Sequence, residues 1–314
     1  MDMISARRIA HTYSIVARDP ETSEMGVAVQ SHYFSVGPVV SWAQPGVGAV
    51  ATQAMVDISY GPLGLELMRR GKTAQQALKA LLVLDKNSAL RQVAMLDANG
   101  IIATHTGQRC IPEAGHLKGK DYSVQANMML SNRVWPSMAE AFEGGKGDLA
   151  ERMLQSLEAA EDAGGDIRGK QSAAILIVRG EKPRKMWEGR IMDLRVEDHP
   201  EPLKELRRLV KLQRAYQHAS RGDLAIEEKN VDKALAEFRA AERLAPRNQE
   251  IRFWRAVSLV NAGRIEDAVP IFKKVFERNR NWAELVPRLS KVDMLSADES
   301  LIKRIVSASP GRRV

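Results

Sequence analysis

The chain has 314 residues, 44% of them hydrophobic and 27% charged, which leaves room for two domains of about 150 residues and a substantial core. No apolar run approaches the ~20 residues that cross a bilayer, and the first eleven residues lack the apolar centre of a secretory signal, so a cytoplasmic, membrane-free protein is expected. The single cysteine, Cys110, excludes an intrachain disulfide, a zinc–thiolate cluster and a Cys-x-x-Cys redox pair, and its expected role is packing.

Charge divides the chain. Residues 1–202 carry 23 Lys and Arg against 24 Asp and Glu, whereas residues 203–314 carry 24 against 15, so the whole surplus behind the +8 formal charge is C-terminal. No nucleic-acid motif or aromatic-interleaved basic run accompanies it. A solvated helical surface is therefore expected rather than a nucleic-acid site.

In chain order, Tyr13 to Arg18 and Met25 to Ser31 are apolar runs joined by D-P-E-T-S-E, which predicts a β-hairpin. Val47 to Met55, headed by Gly46 and Gly48, reads as a third strand. Leu63 to Arg70 reads as a helix stopped before Gly71, and Thr73 caps a second helix carrying Ala77, Leu78, Leu81 and Leu82 at helical spacing. Arg91 to Leu96 and Ile101 to His105 predict a second hairpin about D-A-N-G, whose Asn99-Gly100 pair suits positive φ. Trp135 to Phe142 and Leu149 to Ala163 read as helices, and Ser172 to Arg179 as a buried strand. That order suits an α+β layered domain better than a parallel βαβ series.

From about Pro202 the pattern becomes helical and repeats. Ala234, Phe238 and Ala241 are echoed 34 residues later by Ala268, Phe272 and Val275, which is tetratricopeptide-repeat spacing. Two units are expected, roughly 215–248 and 249–282, with a helix from Pro202 to Ala219 before them and a helical remainder to about Ser307. Gly222 and Gly263 are expected near the joints between helices. The domains are thus an extension or propeptide at 1–11, a layered domain at 12–201 and an all-α repeat domain at 202–314.

Several motifs follow one another in the first two-thirds: G-V-A-V-Q-S at Gly26 to Ser31, P-G-V-G-A-V-A-T-Q at Pro45 to Gln53, Y-G-P-L-G-L at Tyr60 to Leu65, and H-T-G at His105 to Gly107. Q-A-N-M-M-L at Gln125 to Leu130, A-G-G-D-I-R-G-K-Q-S-A-A at Ala163 to Ala174 and D-L-R-V-E-D-H-P at Asp193 to Pro200 complete the series. In number and order they resemble the domain of unknown function 1028 family, which is placed among the N-terminal-nucleophile hydrolases. The resemblance implies a four-layer αββα sandwich, with the nucleophile at the start of the first strand, and cleavage of a linear amide in a small molecule or peptide.

Thr12 is the candidate nucleophile, since a threonine that becomes the first residue carries a hydroxyl and an amine base together. Many family members begin Met-Thr, whereas eleven residues precede Thr12 here. Cleavage at His11-Thr12, or a later translation start, would free its amine; with an acylated nitrogen it lacks that base. Asn127 and Gln53 are the candidate oxyanion donors. His32 is the candidate proton shuttle, oriented by Asp57, and Ser31, Tyr60 and His105 are the expected substrate-binding residues. Arg168 to Lys170 reads as a solvated loop. His105 and His116 lack metal-ligand spacing and the glycine-rich P-G-V-G lacks a phosphate-loop ending, so no metal or cofactor is expected. The repeats suit docking of a protein partner or formation of a homodimer. The competing reading is a non-catalytic scaffold of the same fold.

Overall fold

The two apolar runs after residue 12 do pair. Strand β2 (Thr12–Arg18) follows a two-residue strand β1 (Ile9–Ala10), and it runs antiparallel to β3 (Met25–Ser31) in a register that sets Thr12 opposite Ser31. Their turn is held by the Asp19 carboxylate, which accepts from the Glu21 and Thr22 amides. The structure is a computed structural model and describes residues 9–310; residues 1–8 of the expected extension and the last four of the repeat domain lie outside the described residues.

The N-terminal unit continues through α1 (Gly37–Val40), β4 (Ser41–Gln44), β5 (Gly48–Met55), α2 (Tyr60–Arg69) and α3 (Ala74–Leu84). Next come β6 (Arg91–Asp97), β7 (Ile102–Thr106), β8 (Gly115–Gly119), β9 (Tyr122–Ala126), α4 (Val134–Gly144), α5 (Leu149–Asp162), β10 (Ser172–Val178) and β11 (Arg190–Val196). One antiparallel sheet has the order β1-β5-β6-β7, with β4 also on β5; the other has the order β11-β10-β3-β2-β9-β8.

Period-two alternation along the strands builds the layers. Val50, Val93 and Met95 face Leu65 and Met68 of α2 and Leu78 of α3. Their neighbours Ala49, Ala51, Ala94 and Leu96 face the other way and pack with Val16, Val27 and Val29 of the second sheet. On the outer face of that sheet, Tyr13 donates its hydroxyl hydrogen to Glu161 of α5 at 2.7 Å. The result is helices, sheet, sheet, helices, with an aliphatic core cluster packed between the sheets.

Local chemistry fixes the joints. Thr73 and Gln76 form a reciprocal capping box at the start of α3, and Asp97 accepts from the Ala74 amide while also bracing the D-A-N-G turn, where Gly100 takes φ 84°. Strands β4 and β9, and also β8 and β11, were not anticipated. The last two are sheet edges, paired on one side only and carrying exposed polar residues such as Lys118 and Arg190, so neither shows the apolar run of an interior strand.

The division between the two compact units falls at Arg208/Leu209, inside α6 (Pro202–Glu227). The second unit continues with α7 (Val231–Leu244), α8 (Gln249–Asn261), α9 (Ile265–Arg278), α10 (Asn281–Ser290) and α11 (Glu299–Ser307). All six echoed positions, Ala234, Phe238, Ala241, Ala268, Phe272 and Val275, are buried. Phe253 packs edge-on against Phe272 at 5.5 Å between ring centroids. Gly263 stops α8 with φ 74°. Gly222 is no joint: it lies within α6, where a Cβ would come within 2.8 Å of the Phe238 ring, so the missing side chain is what lets α6 and α7 meet.

Candidate active site

Thr12 opens β2 at one end of the inter-sheet space, and its side chain is fully buried. With residues 10 and 11 in place its hydroxyl donates to the Ala10 carbonyl at 2.9 Å. Just before Thr12, Ala10 pairs with Ala54 and Ile9 with Met55 at the edge of β5. Ala54 sits at φ 70° and Met128, next to Asn127, at φ 61°. Left-handed backbone costs a non-glycine residue about 1 kcal/mol or more, and these two directly follow Gln53 and Asn127, whose side chains bond the Thr12 carbonyl.

The two carbonyls that flank Thr12 are unusually well supplied with donors. The His11 carbonyl accepts from Ser31 Oγ at 2.6 Å and from Arg168 Nη2 at 2.9 Å. The Thr12 carbonyl accepts from Gln53 Nε2 at 3.1 Å, from the Asn127 amide at 3.2 Å and from Asn127 Nδ2 at 3.4 Å. Gln53 and Asn127 thus both meet the Thr12 carbonyl, not the one before it. The donors at the His11 carbonyl are Ser31 and Arg168.

Behind these groups lies a buried polar relay in which the atoms of each amide can be assigned. Gln92 Nε2 donates to the backbone carbonyls of Gly115 at 3.1 Å and Ala126 at 2.9 Å, and to Thr106 Oγ1. Its Oε1 is therefore the acceptor for Gln53 Nε2 at 2.7 Å and Asn127 Nδ2 at 2.9 Å. Asn127 Oδ1 then faces His11 Nδ1 at 2.6 Å, so Nδ1 bears the hydrogen and Nε2 is the bare nitrogen. That nitrogen is buried without a hydrogen-bond partner. Burial lowers the His11 pKa, with help from the Arg168 charge and against its bond to Asn127 and the Asp166 carboxylate, so the ring is neutral at neutral pH. Ser14 extends the relay, donating to Gln53 Oε1 and accepting from Gln125 Nε2, both at 2.6 Å.

Arg168 is positioned by Asp166, whose carboxylate receives two guanidinium hydrogen bonds at 2.7 and 3.0 Å and also the His32 amide. This corrects the solvated-loop reading of Arg168. A turn with Gly164 at φ 117° and Gly169 at φ 99° folds the segment back onto residue 11, a return that the sequence pattern could not reveal.

The structure does not bring the other expected residues to Thr12. His32 is exposed, since it lies one residue past β3, where the strand's alternation turns its side chain outward. Asp57 accepts the Ser59 amide and lies 3.8 Å from Arg91, and Tyr60 donates to Asp85 at 3.1 Å. His105 Nε2 meets the Ser88 carbonyl at 2.7 Å. These are turn and packing contacts, and no hydrogen bond among the described residues links any of the four to Thr12. His11, Gln92, Asp166 and Arg168 were missed; Asp166 and Arg168 did lie in a quoted motif. Burial raises the Cys110 thiol pKa, and its hydrogen bond goes to the Arg91 carbonyl, in keeping with a packing role.

Residues 12–206 match the model of a family of unknown function, DUF1028. The chain belongs to this family. The DUF1028 match begins at Thr12 itself, so the residues that cover the hydroxyl lie outside it. Residues 225–287 match a tetratricopeptide repeat. A crystal structure of the DUF1028 protein SPO2555 from Silicibacter pomeroyi is similar, with 30% identity and a TM-score of 0.58 over 64% of this chain and 88% of that one. No curated protein matches the chain. Among the described residues no helix is long and apolar enough to cross a membrane, and no three His, Cys, Asp or Glu side chains gather as a metal site would require.

Proposed function

We propose that the DUF1028 unit is the precursor of an amidohydrolase of the N-terminal-nucleophile kind, with Thr12 as nucleophile and the repeat unit as a docking surface for a protein partner. The observation that carries this reading is the carbonyl just before Thr12, held by two converging side-chain donors, Ser31 Oγ and Arg168 Nη2. Two donors aimed at one carbonyl oxygen form an oxyanion hole, and removing one such donor typically slows acyl transfer about 10²–10³-fold.

Loss of residues 1–11 gives Thr12 a free amine, which takes the hydroxyl proton as Oγ1 bonds to the substrate carbonyl carbon. The oxyanion forms where the His11 carbonyl oxygen now lies. Its collapse breaks the C–N bond, the amine leaves with a proton, and water hydrolyses the ester to a carboxylate and Thr12. Attack on the chain's own His11 carbonyl closes a five-membered ring; there the Thr12 nitrogen is the acylated leaving group and not the base, so the hydroxyl proton passes through a water molecule to that nitrogen as the C–N bond breaks, and water then hydrolyses the ester between His11 and Thr12. For that step the hydroxyl must turn away from the Ala10 carbonyl, to which it now donates.

That hydroxyl contact also favours a second reading, a scaffold of the same fold. Thr12 is fully buried and its oxygen engaged, so the chain with residues 10 and 11 in place presents no reacting group to solvent. Intact mass separates the two. The hydrolase reading expects wild-type chain and Thr12→Ser to lose residues 1–11 on incubation and Thr12→Ala to keep them; a wild type that stays full length supports the scaffold.

A further inference from the structure

We infer that the site takes an extended peptide, and that the segment ending at His11 occupies the acyl-side subsites that such a peptide fills. The inference rests on Thr12 being the nucleophile and adds the class of substrate. Three observations carry it.

The first is strand addition. The outer edge of β5 is shared between two partners, β4 along Gly48 to Ala51 and β1 at Ala54 and Met55. When β1 leaves, the backbone at Ala54 and Met55 loses its partner on that outer edge. An incoming peptide restores the ladder by pairing there, a mode in which main-chain hydrogen bonds supply affinity and alternate side-chain pockets supply specificity. A small compact amide offers no backbone for that edge.

The second is the pocket one residue back from the reacting carbonyl. Ala10 is fully buried among the aliphatic residues between the sheets. That place accepts a small apolar side chain, and a large one has no room in a close-packed interior.

The third is the pocket for the residue that carries the reacting carbonyl. The orientation of Asn127 is set at a distance, by the two backbone carbonyls that Gln92 Nε2 serves. Those carbonyls can only accept, so Gln92 presents Oε1 to Asn127 Nδ2, and Asn127 presents Oδ1 to the pocket. A bare amide oxygen in a buried site selects a side chain that donates. Neutral His, Asn and Gln satisfy it; Leu leaves the oxygen unpaired, and Glu sets a second acceptor against it. Leaving a buried acceptor unpaired corresponds to a loss of about 5–150-fold.

The test uses the full-length chain and the rate of cleavage between residues 11 and 12, read by intact mass, with thermal melting to confirm that each variant is folded. His11→Asn and His11→Gln are expected to be cleaved within about threefold of wild type, and His11→Leu and His11→Glu at least about tenfold more slowly. Ala10→Trp is expected to block cleavage. The cleaved protein is then given acetyl-Ile-Ala-His p-nitroanilide, acetyl-Ile-Ala-Leu p-nitroanilide and acetyl-His p-nitroanilide. Preference for the first over both others supports the inference, because the last has the right side chain but no strand. Cleavage that depends on Thr12 but ignores residues 10 and 11, or turnover of the single-residue anilide as fast as the extended one, overturns the substrate class and leaves Thr12 as nucleophile. Absence of any Thr12-dependent cleavage overturns both.

Discussion

Replacing Gln92 by Leu is expected to loosen the end of the sandwich at which Thr12 sits. The side chain is fully buried and has five hydrogen-bond partners, Gln53 and Asn127 on Oε1, and Thr106, Gly115 and Ala126 sharing the two hydrogens of Nε2; Gln53 and Thr106 lie in its own sheet, and the other three tie β6 to the β8–β9 end of the other. Gln53 and Asn127 keep longer bonds to the Thr12 carbonyl, and Thr106 keeps His116, so those partners are weakened rather than stranded. The Gly115 and Ala126 carbonyls lose a donor outright. At about 1 kcal/mol net per bond, less a modest gain from the apolar leucine, the loss comes to about 3–5 kcal/mol. That is a large share of the ~5–15 kcal/mol that holds a domain folded, and at about 2–4 °C per kcal/mol it corresponds to a fall in Tm of about 6–20 °C. Urea denaturation followed by hydrogen exchange of peptides covering residues 91–97 and 122–126 reads this unit separately from the helical one. Gln75→Leu, on an exposed helix face, is the control and is expected to change stability by no more than about 0.5 kcal/mol. A Gln92→Leu loss below about 1 kcal/mol would refute the idea that the relay is a cooperative, dry network.

Arg168→Ala is expected to slow cleavage at His11-Thr12 about 10²–10³-fold while the fold persists, measured by intact mass against time; an unchanged rate removes Arg168 from the oxyanion site. The His11 pKa lies below its ordinary 6.5 in the fold, so a docked segment holds the ring neutral while a released one protonates first. Docking is therefore complete above 6.5 and weakens as pH falls through it, and hydrogen-exchange protection of the Ala10 and Thr12 amides, corrected for intrinsic rates, should drop between about pH 7.5 and about pH 5.5. Protection that is flat across that interval, or a drop that persists in His11→Asn, would contradict this origin. In the helical unit, Gly222→Ala forces a Cβ against the Phe238 ring and should cost about 1–3 kcal/mol by thermal melting, an effect that Phe238→Leu relieves in the double variant; additive losses would count against the contact.

How much of this was legible depends on whether the signal is local. The hairpin after residue 12, the capped helix after Thr73 and the turn at Asn99-Gly100 are written in neighbouring residues, because alternation, capping and positive φ are short-range demands. The strands β8 and β11 escaped because an edge strand satisfies only one ladder and tolerates polar residues. Gly222 misled because a glycine that admits a ring and a glycine that ends a helix are the same letter.

The sequence by itself determined the two-part organisation, the layered first domain, the helical repeats and the place of Thr12 at the head of a strand, since each follows from periodicity and from motifs in fixed order. Only the tertiary structure decided which groups meet there. Arg168 reaches a carbonyl 157 positions earlier in the chain, and Asn127 meets a ring 116 positions earlier. Contacts closed across such separations are set by how two sheets stack and where one turn folds back, and a linear pattern does not record that geometry. The same stacking sets Gln53 and Asn127 on the carbonyl of Thr12, and leaves Ser31 with Arg168 to hold the one before it.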